Sequence, residues 1–60
     1  MRIERGMRIE EVLKERKDLI CIREETEECC GEYEGKSENM NRRTLVVCVE
    51  NGIVTERYTI

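Results

Sequence analysis

Asn51-Gly52 is the feature that most narrows what this chain can become. The pair separates two runs rich in β-branched residues, Thr44-Leu45-Val46-Val47-Cys48-Val49 and residues 53–60. Asn-Gly is favoured in a two-residue type I′ turn because both positions must take positive φ and both residues tolerate it. An antiparallel hairpin is therefore predicted. A strict two-residue turn sets Glu50 against Ile53, Val49 against Val54, Val47 against Glu56 and Leu45 against Tyr58. One face then collects Leu45, Val47, Val49, Val54 and Tyr58, with Glu56 as its one polar intruder. The other carries Val46, Cys48, Thr55 and Arg57.

Upstream, Arg8 to Lys17 reads as a helix. Ile9, Val12 and Leu13 fall at i, i+3 and i+4 and make a single apolar stripe, while Glu10, Glu11, Lys14, Glu15 and Arg16 point outward. Acidic residues in the first turn and basic ones in the last suit the helix dipole. Glu10 and Lys14 form a favourable i,i+4 pair, and Glu11 and Glu15 a repulsive one. Arg8 stands where a Ser, Thr, Asp or Asn cap belongs, so the start is weakly marked. Gly6 reads as the stop of a short preceding helical turn over Arg2-Ile3-Glu4-Arg5. The stripe is expected to cover the first hairpin face.

A first strand is expected over Leu19-Ile20-Cys21-Ile22-Arg23, beginning near Asp18. The stretch from Cys29 to Asn41, with Gly31, Gly35, Ser37, Asn39 and Asn41, reads as a turn-rich excursion holding at most a weak strand at Glu32–Glu34, with Tyr33 tucked back over the sheet. The whole is one α+β domain, residues 1–60, with short N-terminal helical elements on one face of a three- to four-stranded antiparallel sheet.

Sixty residues without Phe, Trp or His and with only two Tyr leave Ile, Leu, Val and Met to build the core. A chain of this size buries only roughly 60% of its unfolded surface, and such domains usually lean on disulfides, a metal or a second copy. A homodimer is expected, since one short helix covers one face of the sheet and leaves Val46 and Cys48 to be covered by Cys21, the excursion or a second subunit. Charged residues make up 42% of the chain, dominated by Glu, Lys and Arg, which is the direction taken by proteins of hot environments. No apolar run approaches the roughly 18 residues of a membrane span, and no signal-peptide core is visible, so a cytoplasmic protein with no membrane role is expected.

The net charge of −3 is uneven. Residues 1–17 hold six basic and four acidic groups, residues 18–41 two and eight, and residues 42–60 three and two. The acidic balance disfavours RNA as a general partner. The groups available for a local basic face are Arg2, Arg5, Arg8, Arg42 and Arg43, with Arg57. Their bland reading is solvated surface that keeps the protein soluble.

Four cysteines, Cys21, Cys29, Cys30 and Cys48, are dense for this length. Three readings stand side by side. One is a four-thiolate zinc site, although the C-x2-C knuckle is missing and adjacent cysteines serve one metal poorly. The second is one or two disulfides, with Cys21 and Cys48 as cross-strand neighbours and Cys29 or Cys30 stapling the excursion. The third is free thiols, buried on strands and exposed in loops. A catalytic thiol is disfavoured, because no His serves as base and Cys29-Cys30 lies among carboxylates. Ser-His-Asp and Cys-His sites are excluded by the lack of His, and no phosphate-cradling G-x-x-x-x-G-K loop occurs. The glutamates of residues 24–38 read as a solvated face, without the spacing of an EF-hand calcium loop. No cofactor is expected.

The run Arg2-Ile3-Glu4-Arg5-Gly6-Met7-Arg8-Ile9-Glu10-Glu11-Val12-Leu13 resembles the R-x-x-R-G-I-x-x-E-E-V-L opening of a family of small domains related to the BrnT/RelE-like toxins. The closing strands resemble its L-x-V-V-V-x-x-x-G-x-I-x-T-V-Y pattern. The resemblance implies a RelE-like fold and, for toxin members, RNA cleavage and an antitoxin partner. The early His of that family has no counterpart here, and the acidic balance is wrong for gripping a phosphate backbone. The leading expectation is a non-catalytic interaction module, self-associating or partner-binding. The alternatives are a toxin-type endoribonuclease using the arginines and a small structural zinc module.

Overall fold

The structure, a computed structural model, describes residues 1–37 and 43–60. One helix, α1 (Ile9–Glu15), is followed by β1 (Ile20–Arg23), β2 (Gly31–Lys36), β3 (Thr44–Glu50) and β4 (Ile53–Thr59), which form an antiparallel sheet in the order β1-β2-β3-β4. The α+β expectation holds in this form. Asn39 and Asn41 of the expected excursion, and Arg42 of the expected basic face, lie outside the described residues.

The hairpin turn forms as the local chemistry dictates, with Asn51 at φ 52° and Gly52 at φ 76°. Glu50 meets Ile53 and Val49 meets Val54. Beyond that pair the register departs from the strict hairpin. Thr55 is an extra, bulged residue, so Cys48 meets Glu56, Val47 meets Arg57 and Val46 meets Tyr58. The bulge removes Glu56 from the core face and transfers Tyr58 to the opposite face, reversing both expectations. Arg57 instead lies on the core side, where its Nη1 donates to the Ile3 carbonyl at 3.1 Å.

The core is Ile3, Val12, Leu19, Leu45, Val47, Val49 and Val54, flanked by Met7, Ile9, Leu13 and Tyr33. The helical stripe thus sits where its spacing placed it. The helix is shorter at its C-terminal end than expected, with Arg16 as its cap and Lys17 beyond it. Arg8 is the N-cap and makes no side-chain capping bond; its guanidinium pairs with Glu10. Lys14 pairs with Glu11 at 3.4 Å rather than with Glu10. Gly6 is left-handed, at φ 93°, as expected of it, but no helix precedes it. It turns the chain so that the Met7 N–H reaches the Glu4 carbonyl.

That turn lets the N-terminal segment run along the free edge of β4. The Gly6 N–H donates to the Val54 carbonyl, the Val54 N–H to the Met7 carbonyl and the Ile9 N–H to the Gly52 carbonyl, each at 2.8 Å. A bridge joins Arg8 to Ile53. This edge of the sheet is therefore partly occupied by the chain itself.

The segment expected to be a loose excursion contains a central strand. Gly31, Tyr33 and Gly35 of β2 face the core side, while Glu32, Glu34 and Lys36 face away, and β2 is paired with β3 over its whole length and with β1 over Glu32–Glu34. Gly35 lets β1 begin close by. A Cβ there would stand 2.7 Å from both Asp18 Oδ2 and Leu19 Cδ2. Asp18 fastens the end of α1 to β2, accepting from Arg16 Nε at 2.9 Å, Arg16 Nη2 at 2.8 Å and the Lys36 N–H at 2.8 Å. Arg16 Nη2 also donates to the Lys36 carbonyl at 2.7 Å. The Arg16 side chain and the Lys36 amide hold the Asp18 carboxyl well below the usual carboxylate range.

Two outcomes follow. Gly35→Ala should cost about 1–3 kcal/mol by forcing Asp18 and Leu19 apart, read as a lowered denaturation midpoint. Because the folded-state pKa of Asp18 is depressed, its contribution is present above an unfolded value of about 4 and is lost progressively as pH falls below it. Asp18→Asn should therefore be less stable than the parent at pH 7, with the gap narrowing in acid unfolding series.

Candidate functional site

The face of the sheet away from α1 is built in rows across the four strands. Ile20, Glu34, Val46 and Tyr58 form one row, and Arg23, Glu32, Cys48 and Glu56 the next towards the hairpin turn. On the other side, Lys36 pairs with Thr44, whose carbonyl accepts from the Ile60 N–H. Val46 and Cys48 are buried here although, among the described residues, no second layer of helix or strand lies over them. Cover comes from the longer side chains beside them, Glu34 and Tyr58 next to Val46 and Glu32 and Glu56 next to Cys48.

Both edge strands are bulged at the Cys48 row. On β1 the register shifts between Cys21 and Arg23, leaving Ile22 as the extra residue, so that Arg23 rather than Ile22 meets Glu32. On β4 the Thr55 bulge brings Glu56 rather than Thr55 to Cys48. Each bulge exchanges an uncharged side chain for a charged one in the same row. Bulges gather where a side chain has to be re-aimed, often beside functional sites. Thr55 Oγ1 donates to the Cys48 carbonyl at 3.3 Å and occupies one of the groups that the irregularity frees.

Cys30 enters from the loop ahead of β2. That loop is shaped by Thr26, whose Oγ1 accepts from the N–H groups of Glu28 at 3.2 Å and Cys29 at 3.0 Å. Glu25 ties it to the hairpin by accepting from the Asn51 N–H at 2.7 Å. As a result the Cys30 thiol, the Cys48 thiol and a Glu32 carboxylate oxygen lie within 4.8 Å of one another. The Cys48 thiol points at Glu32 Oε2 across 3.9 Å. Arg23 spans the group, with Nη2 3.3 Å from Glu32 Oε2 and 3.6 Å from Cys30 Sγ, and with Nε donating to the Cys30 carbonyl at 3.1 Å.

The electrostatics follow from this crowding. Burial, then the neighbouring Cys30, Glu32 and Glu56, push the Cys48 thiol up to about 11. The hydrogen bond to Cys30 and the Glu32 carboxylate raise the Arg23 guanidinium further above its ordinary value. The Tyr58 hydroxyl is raised by desolvation and by Glu32 and Cys48.

The four cysteines therefore divide. All are free thiols, Cys21 and Cys29 exposed, Cys30 half-buried and Cys48 buried. Cys21 and Cys48 are not cross-strand neighbours, because β2 separates their strands and Cys21 faces the helix side opposite Tyr33. There Cys21 lines an open groove of about 210 Å³ with Ile9, Tyr33 and Val49. A site using all four thiols is not assembled; Cys30 and Cys48 come together with Glu32, a ligand that the cysteine spacing gave no reason to choose. Alternation of Glu32 and Glu34 with the inward Tyr33 was the available signal.

The arginines are spread out. Arg2, Arg5 and Arg8 follow the N-terminal segment beside β4, with Arg8 at the hairpin-turn end and ion-paired to Glu10, and Arg2 beside Glu4 at 4.0 Å. Arg43 precedes β3 at the other end of the sheet, close to Asp18, Ile20 and Lys36. Arg42 lies outside the described residues. Among the described residues, no helix is long and apolar enough to cross a membrane. In comparisons with known proteins, no family model, curated protein or solved structure matches this chain.

The thiols should separate chemically. With its pKa near 11, only about one Cys48 in a thousand is ionised at pH 8. Alkylation of the native protein followed by peptide mapping should label Cys21 and Cys29 first and Cys48 last, with Cys48 catching up only on unfolding.

Proposed function

We propose that this protein is a non-catalytic, self-associating interaction module whose working surface is the sheet face away from α1, paired with a second copy of the chain. The observation that carries the reading is the apolar exposure on and around that face: Ile20 is 67% exposed, Tyr58 46% and Ile60 72%. Tyr58 stands directly beside the buried Val46, and Ile20 lies in the same row beyond Glu34, so a partner surface laid there covers apolar side chains on both sides of one carboxylate.

A second copy fits this strip by symmetry, with Glu34 of each copy facing the other as a like-charge contact within the row. A two-fold axis along the Ile20–Glu34–Val46–Tyr58 row sets that row on itself. It also brings the Lys36 row of one copy over the Glu32 row of the other, opposite charges facing across sheets about 10 Å apart. Four strands about 4.8 Å apart and roughly 20 Å long supply only several hundred Å² per copy. That is the low end of specific interfaces, so the dimer is a weak, concentration-dependent one.

The resemblance to BrnT/RelE-like toxins carries the rival reading, a RelE-like protein that cleaves RNA and binds an antitoxin. The helix ahead of antiparallel strands is common ground for both. The separation of Arg43 from Arg8 and the pairing of Arg8 with Glu10 support the non-catalytic reading.

Sedimentation velocity across a concentration series should show a monomer–dimer equilibrium in the micromolar range that weakens with salt. Ile20→Lys or Tyr58→Glu should leave a folded monomer. A parent protein that stays monomeric at several hundred micromolar overturns the proposal. RNA cleavage by the pure protein, abolished by Arg5→Ala or Arg43→Ala, replaces it with the toxin reading.

A further inference from the structure

We propose that Cys30, Glu32 and Cys48 form a binding site for one thiophilic divalent cation, zinc being the natural occupant, with Arg23 as the charge-balancing partner. The inference rests on the row of side chains that the two bulges assemble, a row that the proposed second copy would overlie.

Geometry comes first. Zinc takes thiolate sulfur at about 2.3 Å and carboxylate oxygen at about 2.1 Å in tetrahedral array, which places ligand atoms roughly 3.5–3.8 Å apart. Here the three atoms lie within 4.8 Å, and Cys48 Sγ to Glu32 Oε2 is 3.9 Å. Closing on an ion asks for shifts of a few tenths of an ångström at each side chain, with no change of strand register. Cys48 and Glu32 are a directly opposed pair on neighbouring strands, which fixes two ligands on rigid elements. Cys30 is held just ahead of β2 by the Thr26 turn and by the Arg23 bond to its carbonyl.

Charge supports the same assignment. Two thiolates and a carboxylate around a doubly charged ion leave one net negative charge. The Arg23 guanidinium, already in reach of Glu32 Oε2 and Cys30 Sγ, supplies one positive charge and donors for a thiolate and a carboxylate. Two thiols and one carboxylate suit a borderline-soft ion such as zinc and fit magnesium or calcium poorly. Water completes the coordination, with Glu56 across β4 from Cys48 as the nearest acidic neighbour in the row.

The test is titration of the reduced, full-length protein with Co²⁺, then Zn²⁺ competition. One Co²⁺ should bind per chain, with a thiolate-to-cobalt charge-transfer band in the near ultraviolet and release of protons on binding. Cys30→Ser should abolish the band, as should Cys48→Ser where it folds. Glu32→Gln should weaken binding about tenfold or more, and Cys21→Ser and Cys29→Ser should leave it intact. Cys30 is only half-buried, so its variant keeps the test open if Cys48→Ser fails to fold. A band that survives Cys30→Ser, or one lost in Cys29→Ser, overturns the assignment. So does a fully reduced parent protein that binds no cobalt at micromolar concentration.

Discussion

Two bulges, one on each edge strand, decide what the uncovered face of this sheet carries. In a regular ladder the side chains of β1 and β4 would reach the Cys48 row as Ile22 and Thr55. The single-residue slips replace them with Arg23 and Glu56. Because side chains alternate with a period of two, each slip reverses the facing of everything beyond it on that strand. Tyr58 leaves the core face, Arg57 enters its margin and Glu56 is spared burial among Leu45, Val47 and Val54. One local irregularity on β4 thus resolves a conflict in the hydrophobic core and builds a polar row on the other side.

The same constraint explains how so small a chain manages a strand that is buried on both faces. Among the described residues no second layer of helix or strand lies above Val46 and Cys48, yet both are buried. Glutamate and tyrosine side chains lie beside them on the neighbouring strands, their aliphatic and aromatic bodies covering apolar surface while their polar ends stay in water. This arrangement suits a charged, aromatic-poor sequence. It leaves Ile20, Tyr58 and Ile60 exposed at one end of the face and the thiol–carboxylate group at the other. The proposed cation site lies at the second end, and the proposed second copy, centred on the Val46 row, reaches over both.

Legibility from sequence was uneven, and the pattern is physical. The helical stripe and the Asn-Gly turn are local signals, and both appear where their spacing puts them. β2 was hidden because Gly-Glu-Tyr-Glu-Gly-Lys has two glycines, no β-branched residue and high charge. It is a strand because hydrogen bonds on both sides hold it and because Gly35 admits Asp18 and Leu19 at close range. Propensity in strands depends on what the neighbours supply, and a central strand between two partners needs little of its own. Gly6 is left-handed, as its type allows, but it closes a reverse turn and not a helix, since a positive φ serves either equally well.

What the amino-acid sequence determined by itself was the α1 stripe, the type I′ turn, the apolar strand β3 and the exclusion of every histidine-dependent chemistry. Those depend on residues within a few positions of one another. Tertiary structure decided which cysteines meet, that Glu32 joins them, that Arg23 stands over the group, and that the arginines of the N-terminal segment and Arg43 lie apart. Each of these depends on the pairing of strands distant in the chain and on two one-residue slips. Register is an outcome of packing whole strands against one another, and no short run of residues records it.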